Sequence, residues 1–578
     1  MRRTASPLPT PPRAARPARS AACALALTAL LAAAPAYAAH PAPGSPPPYA
    51  PERMSPAELE ADALRLLEQA TWGPNDALLA RVKAVGAAKF IDEQLATPQV
   101  KYTAFAPWPA SRPDTCVDDK TLPLTPASYC ARDNYTVFQL QREFFRNAVM
   151  APDQLRQRVA FALSQILVVG ASQVSQAYAM QRYQQVLADL AFGNFRDLLT
   201  QVTLSPAMGN YLDMANNVKA NAKTGVQPNE NYAREVLQLF SIGTVELAQD
   251  GTPLLDGQGK PVPAYDQDEI EGFAHVFTGW TYPTMPGAVA KTANPRYYDA
   301  PMEERAASHD AGAKLLLNGA VAPAGLGMGA DLANAMNSLF LHPNVGPFIS
   351  RQLIQKLVTG NPSPAYVGRI AAVFNDNGAG VRGDLRAVVR AILLDHEARG
   401  PVKADPAYGR LREPAQFVIA AARVLNARSD GVYLRAQSSA LGQPVFDAPS
   451  VFNFYPPDYV VPGTAILGPE FALQNTSTAL ARVNFVNSLV FSAAINPDAT
   501  VYGATGTQLD WSGYTALAGD PRALVAKLGT LLLHGTLSAP AQDAIVAAVN
   551  AVPATDVLTR AKTAAYLVLS SAQYQVER

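Results

Sequence analysis

Three short stretches carry residues whose types and spacing could do acid–base or metal chemistry. In the first, Glu230 and Arg234 stand four residues apart on one helical face, while Asn231, Glu235 and Gln238 line the neighbouring face. Tyr232, Val236, Leu239 and Phe240 form the apolar side of the same helix. A carboxylate near a helix N-terminus, as Glu230 would be, is favoured in its charged form by the helix dipole. In the second stretch, Asp266 and Glu269 have the spacing of a capping box, and Glu271 and His275 then share one face with Thr278 near the same stripe. A carboxylate and an imidazole four residues apart can share a proton or ligate a metal. Trp280 follows Gly279 at the end of that helix, where its ring could form a platform for a sugar. The third stretch is the His309-Asp310 doublet with Lys314.

Each stretch also has a plainer reading. Glu230 and Arg234 make a capping acid and a surface ion pair, His275 a satisfied helix histidine, and His309 a loop histidine capped by Asp310. The leading expectation is a carboxylate-dependent hydrolase of an extracellular or envelope polymer such as a glycan, because paired carboxylates cleave glycosidic bonds without a cofactor. Glu230 or Glu235 would be general acid or base, with Glu271 and His275 as partner groups. Asn231 and Arg234 would position substrate, and Trp280 would stack on it. No cofactor is expected; a divalent metal on His275, His309 and Asp310 is the alternative. A third reading makes the chain a non-catalytic accessory protein in which these groups fix the long polar segment 205–229. His342, His396 and His534 read as helix-terminal residues, where imidazole suits the C-terminal dipole.

Several chemistries lack their motifs. The chain has no Gly-x-Ser-x-Gly elbow, no Walker-type phosphate loop and no His-Glu-x-x-His. The run Gly378 to Gly383 has no preceding strand and reads as a turn between helices.

The elements that must position these groups are helices. Apolar periodicity near 3.6 recurs from Ser55 to Gln69, Asn231 to Ile242, Gln267 to Thr278, Val345 to Val358 and about Glu470 to Phe491. The turns Asp250-Gly251 and Asp256-Gly257 suggest one small hairpin. The fold class is therefore all-α, a large multi-helix domain over 55–500 with a small helical unit at 501–578. An aromatic and proline-rich stretch, Phe446 to Tyr459, interrupts the pattern and either walls a pocket or packs across the helices.

The first 38 residues read as a signal peptide: five arginines without an acid, an apolar run from Ala21 to Ala34, and Ala36-Tyr37-Ala38 as cleavage site. Arg2-Arg3 raise the twin-arginine route, but no Phe-Leu-Lys pattern follows them. Residues 39–54 form a proline-rich linker. The whole chain balances 47 basic against 47 acidic residues, so losing the signal leaves a mildly acidic protein. Without a Lys/Arg-rich run it offers no footprint for nucleic acid, and the apolar run is too short for a membrane anchor. Periplasmic or extracellular location follows, and the remaining Cys116 and Cys130 are expected to form a disulfide there.

Seven ordered blocks carry a family resemblance. They are Gln69 to Pro74, Arg158 to Gln165, Pro206 to Gly209, Asn229 to Gly243, Phe277 to Trp280, His309-Asp310, and Pro449 to Phe454. Together they resemble the family defined as domain of unknown function 1800, over roughly Ser55 to Arg578. The resemblance implies an exported bacterial protein and a neighbour-encoded, sulfatase-like exported partner. It carries no catalytic assignment.

Overall fold

Several helices of this chain open on side-chain caps. In the computed structural model Ser55 accepts from the backbone of Glu58, and the Glu58 carboxylate returns to the backbone of Ser55, so the helix Pro56–Ala70 opens on a full capping box. Asp266 and Glu269 do the same for Gln267–Val276, as their spacing predicts. Asn75, Asn194, Ser363, Asp384, Asn475, Asp520 and Asp556 cap further helices.

The structure describes residues 49–121, 123–401, 403 and 405–578. The expected signal peptide and most of the expected linker lie outside the described residues. Among the described residues the architecture is helical throughout, and no helix is long and apolar enough to cross a membrane. Extended structure is confined to four antiparallel pairs, each two residues per strand, together with isolated bridges. That is more pairing than the single hairpin read from the turns. The turns themselves form as expected: bridges Val245↔Pro263, Leu247↔Pro253 and Leu255↔Pro261 fold segment 245–263 into a small meander. The glycine run at 378–383 joins Pro364–Asn375 to Leu385–Leu394 as a turn between helices. Cys116 and Cys130 are disulfide-bonded, and the short helix Cys130–Tyr135 begins at the bridge.

The core is one continuous apolar cluster from Ala63 to Tyr574. A buried layer of arginines and carboxylates runs through it. Arg412 and Glu68 are in direct contact, and His534 Nε2 reaches the other Glu68 oxygen at 3.0 Å. Arg410 meets Glu577 at 3.1 Å and Gln416, while the strand pair sets Arg410 opposite Glu577 and Leu411 opposite Val576. Arg65 bonds Asp62 at 3.1 Å and the Gly400 carbonyl at 2.9 Å. The first helix, the strand at 410–411 and the chain end are thus tied through charge. Gly409 makes the contact feasible, since a Cβ there would sit 2.2 Å from the Glu577 carbonyl oxygen.

Removing one member of a buried charge pair leaves the other unpaired, at a cost of about 3–5 kcal/mol. Arg412→Met should lose stability on that scale in urea denaturation, and adding Glu68→Gln should recover part of it. Equal stability of the single and double variants would show that Glu68 does not depend on Arg412.

Candidate functional site

The two polar stripes meet. Helices Asn231–Gln238 and Gln267–Val276 bury opposite apolar faces in the core, Tyr232, Ala233, Val236 and Leu237 from one and Ile270, Phe273 and Ala274 from the other. What is left outside is polar. Glu230 Oε2 accepts from Arg234 Nη2 at 2.9 Å and from Gln267 Nε2 at 3.0 Å. Gln267 Nε2 also reaches Glu271 Oε1 at 3.4 Å, so a glutamine that the sequence reading passed over joins the stripes. Glu230 caps no backbone N–H with its side chain; Asn229 bonds the Asn231 N–H instead, at 2.8 Å. The Asn231 side chain donates to Asp213 at 3.2 Å. With side chains 34 % and 43 % exposed, Glu230 and Arg234 form a solvent-facing pair. Such a pair contributes only about 0.3–0.5 kcal/mol, so its main effect is to fix orientation.

At the far end of the same stripe stands an imidazole–carboxylate dyad. His275 Nδ1 and Asp310 Oδ2 are 2.7 Å apart. Asp310 is held from two further sides: the Gly312 N–H donates to Oδ1 at 2.7 Å, and the Asp310 N–H donates to Thr278 Oγ1 at 2.9 Å. Thr278 in turn donates to the His275 carbonyl at 2.7 Å, which closes the unit. Burial pushes the Asp310 carboxyl up, but the N–H of Gly312 and the His275 ring outweigh it and hold Asp310 below the usual carboxylate range. Because Nδ1 faces the carboxylate it carries the proton in the neutral ring, and the lone pair is then on Nε2. The His275 side chain is 32 % exposed, so this dyad can exchange protons with solvent or a ligand.

His309 points the other way. Its Nδ1 faces the Thr278 carbonyl at 2.8 Å and its Nε2 faces Asp331 Oδ2 at 2.9 Å, with Lys314 Nζ 2.6 Å from that same oxygen. His309, Lys314 and Asp331 are all buried. Both ring nitrogens being engaged, His309 is a strut under the dyad, and the expected His275–His309–Asp310 ligand set is corrected on that ground. Gly272 lets this layer form: a Cβ on it would lie 1.8 Å from the carbonyl oxygen of Leu315, next to Lys314. Among the described residues, Asp395, His396 and Glu397 lie close enough to share an ion. Arg369 already occupies them, at 2.8 Å from Asp395 and 2.9 Å from Glu397.

Two further expectations meet different surroundings. Trp280 is buried, 4 % exposed, with its indole nitrogen sealed in the interior, so no ring face is open for stacking and the platform role is withdrawn. Glu235 lies close enough to Tyr211 and Tyr265 for its charge to raise both hydroxyls. Its Oε2 is sealed from water without a hydrogen bond, and burial raises its carboxyl above the usual range. The polar segment before the helix is stitched down: Asn216 N–H bonds the Trp280 carbonyl at 2.7 Å, Gly279 N–H the Asn217 carbonyl at 2.8 Å, and Lys219 N–H the Ser308 carbonyl at 2.8 Å.

A polar centre absent from the sequence reading gathers at Glu413. Its Oε2 accepts from Gln165 at 3.0 Å, Gln443 at 2.6 Å and the Tyr455 hydroxyl at 2.9 Å. Nearby, Lys356 stacks 4.0 Å over the Tyr455 ring, and burial brings its ammonium group down to about 8. Burial likewise pushes Glu470 up to about 7. Every one of these groups is inside the protein. In the sequence, Gln165 ends one of the seven blocks, and Tyr455 follows another within the aromatic stretch Phe446 to Tyr459.

A carboxyl raised by burial binds its proton more tightly folded than unfolded, so native stability falls as pH climbs from the ordinary carboxylate range near 4.5 through the raised value. Glu235→Gln should therefore stabilise the protein at neutral pH, by on the order of 1 kcal/mol, and bring no gain below that range. Calorimetry at both pH values checks it; a gain of equal size at both would refute the titration argument. Gly272→Ala should lower the melting temperature, since the Leu315 backbone must retreat to admit the methyl group.

No curated protein and no solved structure matches the chain. A family model described as protein of unknown function, DUF1800, matches residues 65–576. The match covers nearly all the described residues and includes both helices, the dyad and the buried centre. The chain belongs to the DUF1800 family.

Proposed function

We propose that the chain is an exported hydrolase of an extracellular or envelope polymer such as a glycan, with His275 as its general base. The observation that carries this reading is the Asp310-oriented imidazole, its Nε2 unblocked at the end of a solvent-facing stripe. In that reading Nε2 takes a proton from water as the water attacks the scissile bond. Asp310 holds the ring and stabilises the imidazolium that forms. Glu271 lies one helical turn away on the same face, placed to pass a proton to the leaving group. Glu230 and Gln267 fix Arg234, whose guanidinium would orient the polymer or neutralise developing charge. The buried His309–Asp331–Lys314 layer keeps the dyad from rotating inward. Glu235, sealed on one oxygen, shapes the wall beneath and takes no part in proton transfer.

General acid–base catalysis by one positioned side chain typically contributes 10²–10⁴-fold. Digestion of peptidoglycan and of a polysaccharide panel by the purified protein should fall by about that factor for His275→Ala. Asp310→Asn should follow it closely, and Glu271→Gln should cost less. Activity unaffected by His275→Ala in a protein of unchanged melting temperature would overturn the assignment. So would the absence of activity on every polymer tested.

A further inference from the structure

A cavity of about 480 Å³ lies apart from the His275–Asp310 dyad, lined among others by Arg132, Phe138, Gln141, Arg435, Asp447 and Asp498. Its volume is that of an ordinary small-molecule site. Three distant stretches build it. The disulfide starts the helix that carries Arg132, whose guanidinium lies 4.4 Å over the Phe138 ring. Arg435, from the helix Val432–Ala440, lies 4.7 Å over the same ring. Asp447 follows Phe446, a buried residue at φ +63°, where a bulky side chain is strained. The loop before it is pinned by Gln141, which donates to the Val445 carbonyl at 2.7 Å, and by Gln443 on Glu413. Such bonds hold the strained loop in place beside the cavity that Asp447 lines.

The charges in this cavity are left open in a specific way. Arg132 is committed: Asp133 accepts from Nε and Nη2 at 2.6 and 3.1 Å, and Thr500 accepts twice from Nη1. Arg435 is not. Its Nη1 has a long bond to Gln141 at 3.2 Å, while its Nε is sealed from water with no partner. Among the described residues no carboxylate lies within ion-pair distance of Arg435, and no cation within ion-pair distance of Asp447. Asp498 has one oxygen bound by Thr500, at 2.7 and 2.8 Å, leaving its other oxygen free. Burial raises the Asp447 carboxyl, and a hydrogen bond from the Ser172 backbone offsets only part of that rise. A guanidinium with no ion-pair partner and the carboxylates of Asp447 and Asp498 therefore line one hollow, where Asp498 feels the charge of Arg132 and Arg435 without a direct ion pair to either. A simple anion would satisfy Arg435 and meet two carboxylates; a simple cation would meet Arg435. A molecule bearing both charges satisfies all three.

We propose that this cavity binds a small zwitterion, an amino acid or short peptide whose carboxylate meets Arg435 and whose ammonium group meets Asp447 and Asp498. The guanidinium fork matches a planar carboxylate through two parallel N–H bonds. Ammonium, with three donors, suits carboxylates arranged around it.

Calorimetric titration of the mature protein with glycine, L-alanine, L-glutamate, L-lysine and L-alanyl-L-alanine tests this directly. N-acetyl-L-alanine lacks the cation, L-alanine amide lacks the anion, and N-acetylglucosamine stands for an uncharged saccharide. At least one zwitterion should bind saturably. Blocking either end of a zwitterion that binds should weaken it at least about tenfold, the scale of a lost charge-assisted hydrogen bond. Arg435→Gln should weaken it comparably. Asp447→Asn, which keeps shape and sits on a loop, should do so with an unchanged melting temperature. No saturable zwitterion binding would overturn the proposal, as would equal binding of the blocked molecules, binding of the saccharide alone, or full affinity in Asp447→Asn. None of these outcomes bears on the dyad, so the hydrolase reading and this site fail separately.

Discussion

The assembly of this fold depends on charge taken out of water and paired. Glu68 between Arg412 and His534, Glu577 against Arg410, and Asp62 against Arg65 all lie in the interior. An ion in such surroundings carries a desolvation penalty of several kcal/mol, offset only by good geometry and full hydrogen bonding. Burial alone would push Glu68 up, yet Arg412 and His534 hold it well below the usual carboxylate range. Because partners come from residues near 65, 410, 534 and 577, the penalty is met only when the first helix, the middle of the chain and its end are assembled together. The apolar cluster would tolerate some sliding of helices; the paired charges do not.

The dyad rests on the same device at smaller scale. Lys314, His309 and Asp331 form a buried unit beneath it, and Gly272 lets the helix above settle against the Leu315 backbone. His309 and Asp310 are neighbours that face opposite ways, one into the core and one toward solvent. That alternation is what extended backbone provides, and it converts a rigid interior into a fixed orientation for His275. Positioning through packed neighbours is the general requirement for acid–base groups that must act without first rearranging.

The helical class, the helix start at Ser55 and the cap at Asp266 were legible because they are local: periodicity and capping act over a few residues. The stripes at 230–238 and 267–276 were legible for the same reason. What joins them was not, since Gln267 meets Glu230 across 37 residues and no pattern within either helix announces it. His309 and Asp310 could be singled out as residue types, but the direction each faces depends on Thr278 and Asp331, which are distant in sequence. Trp280 misled because an aromatic after a helix-ending glycine reads alike in a core and on a surface. Glu413 and its partners stayed invisible for a deeper reason. Gln165, Gln443 and Tyr455 are ordinary polar residues until the fold removes their water.

The cavity at Arg435 and the centre at Glu413 show how one interior can give two different outcomes. At Glu413 three donors converge on a single oxygen, and the carboxylate is satisfied within the protein. At Arg435 and Asp447 the chain stops short of pairing charges that line the same hollow. The two regions are linked through Gln443, which bonds Glu413, and through the short loop that ends at Asp447. The satisfied centre thereby fixes the loop that holds the unsatisfied one. The unpaired charge of Asp447 sits directly beside Phe446, whose backbone is itself strained. Strain and unmet charge at the same place are costs that packing alone does not explain, and a bound molecule able to meet both charges does.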